Sequence, residues 1–256
     1  MKPSIVGIMM VKNEELWIGE AIRRIVGFCD YIRVVDTGST DDTIDIARRE
    51  LMHTTRRYDI VHESNLTRTH DHIEAYIGRN VWVFGVDGDE LYDPIGLAAM
   101  RARIMNGFGK FCYQVKGMYL HVDRIDGRLM TGWFGPPSHN PTKLYNFANI
   151  TAWPNDFERT MFHCKTRVIS HGAIQLNAAT PWEASELRCL HMRFVPRTTS
   201  EVYEDAGRLT PEDMIGHGSR KDRGGRDDAN ERLQYRKGDR HTVDMDTFKE
   251  VACLTD

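Results

Sequence analysis

The strongest constraint on the fold is a regular alternation of apolar runs and amphipathic segments in the first hundred residues. Apolar runs typical of buried strands occupy residues 5–11, 31–36, 59–62 and 81–86. Segments with helical spacing of apolar residues separate them, at 14–28, 39–51 and 69–79. This βαβαβαβ order predicts an α/β fold, with a Rossmann-like, mostly parallel central sheet and helices on both of its faces.

Two local patterns add detail to this outline. Ser39, followed three residues later by Asp42, resembles a capping box that opens the second helix. Near the end of the chain, residues 244–254 are expected to form a short helix that packs through Met245, Phe248 and Val251.

The composition is that of an ordinary globular protein. Of 256 residues, 41% are hydrophobic and 28% are charged, and the formal net charge of -3 gives no general attraction to nucleic acid. The five cysteines include no CxxC pair, which argues against a disulfide framework and indicates a reducing compartment. The apolar run at 5–11 is too short to span a bilayer and lacks the flanks of a signal peptide. We therefore expect a cytoplasmic protein with no transmembrane segment.

Polar side chains follow each of the four predicted strands. Because ligands of open α/β sheets bind beyond the carboxyl ends of the strands, these side chains should converge on one crevice. They are Lys12, Asn13 and Glu14 after the first strand, Asp36 to Ser39 after the second, residues 63–68 after the third, and Asp87, Gly88, Asp89 and Glu90 after the fourth.

An Asp-x-Asp pair alone is a weak signal, since chance is expected to give about two in such a chain. The chain has two, Asp87 with Asp89 and Asp244 with Asp246. Only the first pair follows an apolar strand and shares its crevice with other polar strand ends. Two carboxylates there can hold Mn2+ or Mg2+ that is shared with the phosphates of a nucleoside diphosphate. The alternative is a solvated turn between strand and loop.

The order VKNEE, VVDTGSTDDT, SNLTRTHDHI and VFGVDGDE resembles the N-terminal half of family 2 glycosyltransferases of the GT-A fold. The resemblance covers about the first 95 residues and continues more loosely to about residue 195. It implies a nucleotide-diphosphate sugar as donor, either UDP- or GDP-linked. The residues that it implies for nucleotide binding are Asn13, Glu14, Asp36, Thr37, Arg68, Asp87 and Gly88, and Asp87 and Asp89 would hold the metal ion.

One departure from the family affects the nucleotide site. Many members read Asp-Asp-Gly-Ser where this chain has Asp36-Thr37-Gly38-Ser39. The resemblance therefore leaves open which of Asp36 and Thr37 meets the base.

Further along the chain the resemblance implies a third metal ligand, and it implies that the donor and the acceptor bind to different halves of the domain. In LRCLHMRF, His191 occupies the position where related enzymes can place a histidine near the metal. Earlier in the chain, Lys143 stands where the family has an arginine. The alternative for His191 is a hydrogen-bonded core residue. His163 matches the family more weakly. We expect residues 1–95 to form the nucleotide-sugar half of a single domain, 96–200 the acceptor half, and 201–256 a C-terminal extension.

Inverting sugar transfer needs a general base for the acceptor hydroxyl. By their place in the resemblance, Asp156 and Glu158 are the candidates, with Glu183 and Glu186 in reserve. The acceptor hydroxyl could belong to a glycan, a lipid, a protein or a modified nucleic acid. Residues 131–141 are rich in Gly and Pro, and their Trp133 and Phe134 either stack on a sugar or base or fill a buried corner.

The segment 217–241 has a different character, with eight Lys or Arg against five Asp or Glu and few apolar residues. It is either a solvated tail or a basic arm that steers a polyanionic acceptor or closes over the diphosphate. Two rival functions also stay open. One is a HAD-like phosphatase with Asp87 as nucleophile and Asp89 as acid. The other is a non-catalytic module that binds nucleotide sugars or nucleic acid.

Overall fold

The computed structural model describes residues 2–65, 71–108, 112–134, 142–152, 169–170, 174–176, 181–199 and 240–251. The α-helices in these ranges are α1 (Ile18–Ile25), α2 (Thr43–Met52), α3 (Asp71–Glu74) and α4 (Pro94–Met105). The strands are β1 (Ser4–Val11), β2 (Tyr31–Asp36), β3 (Arg57–His62), β4 (Val81–Asp87), β5 (Glu90–Tyr92), β6 (Cys112–Lys116), β7 (Met118–Asp126), β8 (Leu129–Phe134), β9 (Thr142–Asn146), β10 (Ile150–Ala152), β11 (Ile169–Ser170), β12 (Ile174–Leu176), β13 (Arg188–His191), β14 (His241–Asp244) and β15 (Glu250–Val251).

A seven-stranded sheet has the strand order β12-β6-β9-β4-β1-β2-β3. Strand β1 pairs in parallel with β2 and β4, β2 pairs in parallel with β3, and β6 pairs in parallel with β12. Strand β9 pairs antiparallel with both β4 and β6, so it alone reverses direction among these seven strands. The predicted α/β class with a mostly parallel sheet is therefore confirmed.

Helices cover both faces of this sheet. On one face, α1, α2 and α4 share a core cluster with β1, β2 and β4, and α1 buries Ile18, Ala21, Ile22 and Ile25 at the expected helical spacing. On the other face, α3 buries Ile73 within a smaller cluster built from the same three strands. Apolar burial of this kind contributes about 1.5–3 kcal/mol for each large aliphatic side chain.

A second, six-stranded sheet has the order β15-β14-β8-β7-β13-β5. Its strand β5 begins three residues after the end of β4, so the sequence Asp87-Gly88-Asp89-Glu90 carries the chain from one sheet to the other. Six strands of the expected acceptor half divide between the two sheets, with β6, β9 and β12 in the first and β7, β8 and β13 in the second, while β10 and β11 form a separate two-stranded sheet. The acidic cluster thus lies at the junction of the sheets.

The predicted capping box is wrong. Helix α2 begins at Thr43, after Asp42, and the Asp42 side chain makes no capping hydrogen bond. The Ser39 hydroxyl instead accepts a hydrogen bond of 3.1 Å from the backbone N–H of Asn13. The need to satisfy that backbone group at the end of β1 overrides the local capping pattern. Asp41 takes part of the expected role, since its Oδ1 accepts a hydrogen bond of 3.0 Å from the Thr43 backbone N–H.

Two predicted helices differ from those observed. The first was expected from residue 14 but begins at Ile18, because Asn13 has a left-handed φ of 53° and residues 14–17 form a turn. The third was expected over 69–79, and helix is present only at Asp71–Glu74, with residues 66–70 outside the described part.

The final helix expected at 244–254 is also wrong. In its place β14 and β15 form an antiparallel hairpin, and β14 pairs with β8. The Asp244 carboxylate accepts hydrogen bonds from the backbone N–H groups of Asp246 and Thr247, which favours a turn over a helix. Met245 and Phe248 are buried as predicted, whereas Val251 is exposed.

Candidate functional site at the junction of the two sheets

The end of β1 is tied to the loop after β2. Asn13 is a residue type that tolerates a left-handed backbone, and its Oδ1 accepts a hydrogen bond of 2.8 Å from the Thr40 backbone N–H. Thr37 reaches back to β1, since both its backbone N–H and its hydroxyl donate to the Val11 carbonyl, at 2.9 Å and 3.0 Å. These contacts fix the two strand ends side by side and engage the Thr37 hydroxyl with the backbone of β1.

Asp36 carries the charge at the end of β2. Its Oδ1 accepts hydrogen bonds from the backbone N–H groups of Gly38 (3.2 Å) and Ser39 (2.8 Å), and its Oδ2 lies 3.1 Å from His62 Nδ1. Burial acts to raise the pKa of Asp36, but the hydrogen bonds from Ser39, His62 and Gly38 outweigh it and lower the pKa. Asp36 is therefore an anion near neutral pH.

The first carboxylate of the Asp-x-Asp pair is held by a buried lysine. Lys143 on β9 is 2% exposed, and its Nζ lies 3.0 Å from Asp87 Oδ2 and 2.9 Å from Glu90 Oε1. Burial acts to lower the pKa of Lys143, but the two carboxylates outweigh it and raise the pKa above its usual value. Lys143 is thus a buried cation that holds the Asp87 carboxylate. The Asp87 side chain still keeps 38% of its surface exposed.

Glu90 is a structural carboxylate within a buried polar network. Its Oε1 accepts from the Tyr119 hydroxyl at 2.8 Å, and its Oε2 accepts from the Tyr92 hydroxyl at 3.2 Å and from the Asp87 backbone N–H at 3.1 Å. The two tyrosine hydroxyls lie 2.7 Å apart. Burial raises the pKa of Glu90, and the Lys143 ammonium opposes that rise without cancelling it. The network satisfies every oxygen of Glu90, as burial of a charge requires.

The second carboxylate of the pair, that of Asp89, faces a histidine and an arginine. Asp89 is 1% exposed, and its Oδ2 lies 3.6 Å from His191 Nε2 and 3.7 Å from Arg197 Nη1. Burial acts to raise the pKa of Asp89, but His191 and Arg197 outweigh it and lower the pKa to about 2. Asp89 is therefore an anion near neutral pH, although it is buried.

Glu14 adds a fourth carboxyl group to the cluster of Asp87, Asp89 and Glu90. Its Oε1 contacts the guanidinium of Arg197, and its backbone N–H donates to the Thr43 hydroxyl at 2.7 Å. Burial, followed by the charge of Asp89, raises the pKa of Glu14 to about 10. Negative charge is therefore crowded where β1 and β4 end, and Glu14 carries a proton while Asp89 does not.

Gly88 is needed because β1 approaches the turn closely. A Cβ atom on Gly88 would lie 2.8 Å from Glu14 Cγ and 3.1 Å from Val11 Cγ1. Real Cβ atoms do not come that close to other heavy atoms, so a larger residue at this position would displace Glu14. The glycine thus lets the Asp-x-Asp turn pack directly on the end of β1.

Histidines from the second sheet complete the candidate site. Parallel pairing of β13 with β7 places His191 beside His121, and their Nδ1 atoms lie 3.1 Å apart. Burial lowers the pKa of His121 well below its usual value, and His191 lowers it further. His121 is therefore neutral.

The site offers few protein ligands for a divalent cation. In the part of the chain that the structure describes, no three His, Cys, Asp or Glu side chains converge tightly enough to hold an ion by themselves. Asp89 and His191 face each other, and Asp87 is held by Lys143. Two protein ligands suffice for Mg2+ or Mn2+ when substrate phosphates supply the others. The residues therefore fit a cation that is shared with a bound diphosphate.

Several predicted residues lie elsewhere. Arg68, Asp156, Glu158, His163 and nearly all of the basic segment 217–241 fall outside the described residues. Glu183 is exposed, and Glu186 forms an ion pair of 2.5 Å with Arg103 on α4. Neither reserve candidate for the general base is thus shown beside the acidic cluster.

The aromatic pair of the predicted loop is half-buried. Phe134 lies against Trp182 and His241, with ring centroids 5.0 Å and 4.2 Å apart. Trp133 lies 6.4 Å from Phe194 and opposite His121 in the pairing of β7 with β8. Phe134 therefore fills a packed corner, while Trp133 lies one strand away from the histidine pair.

Sequence reasoning missed three contributors to the site, namely Arg197, His121 and Tyr119. The histidine of MYLHV, a polar residue in an apolar strand, was the available signal for His121. Arg197 had no comparable local signal. It reaches Glu14 because residues 196–199 pack along the chain after β1, where the Trp17 indole donates to the Pro196 carbonyl at 2.7 Å.

Comparison with known proteins gives similarities of fold at low sequence identity. No family model matches the chain, and no curated protein matches its sequence. The similar solved structures include S. aureus TarS 1-349 in complex with UDP, with 18% identity and a TM-score of 0.37 over 58% of this chain and 47% of that one. They also include glucosyl-3-phosphoglycerate synthase from Mycobacterium tuberculosis in complex with Mn2+, UDP and glucosyl-3-phosphoglycerate. That match has 21% identity and a TM-score of 0.33, and it covers 46% of this chain and 44% of that one.

A third similar structure is UDP-glucose pyrophosphorylase complexed with UDP-glucose, at 11% identity and a TM-score of 0.30, over 63% of this chain and 72% of that one. The matched region spans less than half the length of the first two chains. With every one of these TM-scores below 0.5, the function has to be inferred from the residues of the site. Among the described residues, no helix is long and apolar enough to cross a membrane.

Proposed function

We propose that the protein is a GT-A-type glycosyltransferase that moves a sugar from a nucleoside diphosphate to an acceptor hydroxyl. One observation carries the proposal. The carboxyl ends of β1, β2 and β4 bring Glu14, Asp36 and Asp89 to the same edge of the first sheet, and β13 of the second sheet adds His191. A nucleotide at the carboxyl ends of parallel strands would meet all four side chains.

The two ends of the donor would bind to different parts of this edge. The ionised Asp36, held by the turn after β2, is suited to accept hydrogen bonds from the ribose or base, and Asn13 and Thr37 hold the neighbouring backbone in place. The diphosphate would lie toward Asp87, Asp89 and His191. Arg68, which the family resemblance places near the nucleotide, would act in the loop after β3.

A divalent cation, Mn2+ or Mg2+, would be held by Asp89 and His191, with Asp87 alongside. When bound, it supplies positive charge to the departing diphosphate. The fixed cations of this chain have a different task. Lys143 holds the Asp87 carboxylate in place, and Arg197 contacts Glu14 and offsets part of the negative charge of Asp89. Together they allow several carboxylates to be buried side by side.

The remaining parts of the assignment rest on the resemblance. Residues 1–95 would bind the donor, residues 96–200 would bind the acceptor, and 201–256 would form an extension. Inverting transfer requires a base that takes the proton of the acceptor hydroxyl as the new bond forms, and Asp156 and Glu158 are the candidates. The acceptor would be a hydroxyl of a glycan, lipid, protein or modified nucleic acid.

The proposal is tested by thermal denaturation with a panel of UDP- and GDP-linked sugars in the presence of Mn2+. A ligand that binds only the folded state raises the free energy of unfolding, by about 2.7 kcal/mol when its concentration is a hundred times Kd, and the melting temperature rises with it. We expect one nucleotide series to stabilise the protein and Asp36→Asn to weaken that effect. The matched control is Asp45→Asn on the exposed face of α2, which should respond like the wild type. If no nucleotide sugar shifts the melting temperature in the presence of Mn2+, the donor assignment is contradicted.

A further inference from the structure

We propose that His121 is a positioning residue, which fixes the orientation of His191 and the nitrogen through which His191 meets the diphosphate-bound cation. The part of this inference that concerns the cation rests on the proposed function. The pairing of the two histidines does not, since it can be observed without any ligand.

The backbone register places the two imidazoles side by side. Strands β13 and β7 pair in parallel with His191 opposite His121, so both side chains project from the same face of the second sheet. The ring centroids are 5.1 Å apart, and the two Nδ1 atoms are 3.1 Å apart. At the other end of the His191 ring, Nε2 lies 3.6 Å from Asp89 Oδ2. His191 is thus held between Asp89 and His121.

The chemistry of imidazole determines what this contact can do. Two Nδ1 atoms at 3.1 Å form a hydrogen bond only if one of them carries a hydrogen and the other accepts it. A neutral imidazole always has one ring nitrogen that can accept a hydrogen bond, and the His121 ring, on a residue that is 5% exposed, faces His191 with its Nδ1. When Nε2 of His191 binds a cation, its Nδ1 must carry the ring hydrogen, and His121 Nδ1 is the atom that receives it. A partner of this kind sets both the tautomer and the angle of a ligating histidine.

The surroundings hold His121 rigidly enough for this task. A Cβ on Gly132 of β8 would lie 2.0 Å from the His121 carbonyl oxygen, so β8 packs directly on the backbone of this residue. Tyr119, two residues earlier on the same strand face, lies 5.9 Å from the His121 ring and 5.7 Å from the His191 ring. A histidine that only filled the core would not need its Nδ1 directed at a second histidine beside a buried aspartate.

The first measurement is made without ligand, by NMR of 15N-histidine-labelled protein. We expect a slowly exchanging ring proton shared between the two Nδ1 atoms, with a coupling across the hydrogen bond. The signal should be absent in His121→Phe and present in His53→Phe, which changes an exposed histidine after α2. A wild-type spectrum without the shared proton would overturn the pairing, whatever the protein binds.

The second measurement is calorimetry of UDP and GDP binding with and without Mg2+. We expect His121→Phe to weaken Mg2+-dependent affinity about 10-fold or more and His121→Gln, which keeps an acceptor, to regain part of the loss. His53→Phe serves as the control. Equal affinity in His121→Phe and His53→Phe would overturn the positioning role. If the shared proton is observed but nucleotide affinity is the same with and without Mg2+, the metal part of the proposed function is contradicted. The same result would still support His121 as the residue that orients His191.

Discussion

The ammonium of Lys143 lies 3.0 Å from the carboxylate of Asp87. The lysine comes from β9, the one strand that reverses direction among the seven of the first sheet, and its ammonium contacts the first carboxylate of the Asp-x-Asp turn. The first carboxylate of the pair is therefore neutralised by the protein itself, while the second, Asp89, faces His191 and Arg197. The two aspartates occupy different electrostatic environments although one residue separates them.

Replacement of Lys143 by Met should destabilise the protein strongly. The change removes the cation from Glu90, which is 1% exposed, and an unpaired buried charge of this kind costs about 3–5 kcal/mol. Urea denaturation monitored by circular dichroism measures the effect. The double variant Lys143→Met with Glu90→Gln should regain part of the loss, because the buried charge is then absent. A single variant as stable as the wild type would show that the ion pair is unimportant.

Replacement of Gly88 by Ala should disturb Glu14 and weaken nucleotide binding. The new Cβ would lie 2.8 Å from Glu14 Cγ, so the glutamate must shift, and such overpacking costs about 1–3 kcal/mol of stability. Gly27→Ala is the matched control, because nothing lies within 4 Å of a Cβ at that position. We expect the control to keep wild-type stability and nucleotide affinity. Equal behaviour of both variants would contradict the close packing of the turn on β1.

Acid should destabilise the protein in part through Asp30. Its side chain accepts hydrogen bonds from Arg101 at 2.5 Å and from the Ile5 backbone N–H at 2.9 Å. Burial acts to raise the pKa of Asp30, but these bonds outweigh it and lower the pKa in the folded state. The stabilisation is therefore complete above the unfolded-state pKa of about 3.9 and is lost as the pH falls through the lower folded value.

Urea denaturation at a series of pH values tests this assignment. The difference in unfolding free energy between wild type and Asp30→Asn should be constant near neutral pH and shrink below about pH 4. Asp45→Asn removes an exposed pair with Arg48 and should show little difference at any pH. A difference for Asp30→Asn that does not change with pH would mean that the carboxylate is not the group responsible.

The part of the fold that could be predicted from the sequence is the part set by local pattern. The first four strands follow from short apolar runs, and α1 follows from the spacing of Ile18, Ile22 and Ile25. Once the strands were known to be parallel, the convergence of Asp36, Asp87 and Asp89 on one edge followed from topology.

The remaining features depend on contacts between distant segments. Ser39 satisfies the backbone of Asn13 instead of capping α2, and the chain after β13 brings Arg197 to Glu14. Lys143 and His121 gain their roles only from pairing in two different sheets. No periodicity within one segment encodes such partners, so a local reading of the chain could not find them.

The most direct test of the proposed function is calorimetry of UDP and GDP binding, with Mn2+ or with EDTA, to wild type and Asp89→Asn. The control is Asp246→Asn in the other Asp-x-Asp pair, where an exposed contact with Arg128 is lost and the fold should be unaffected. We predict that the wild type and Asp246→Asn bind one nucleotide only with the metal, and that Asp89→Asn, folded by circular dichroism, loses this binding. Equal affinity in EDTA, or unchanged binding in Asp89→Asn, would contradict the assignment of Asp89 to a metal-diphosphate site.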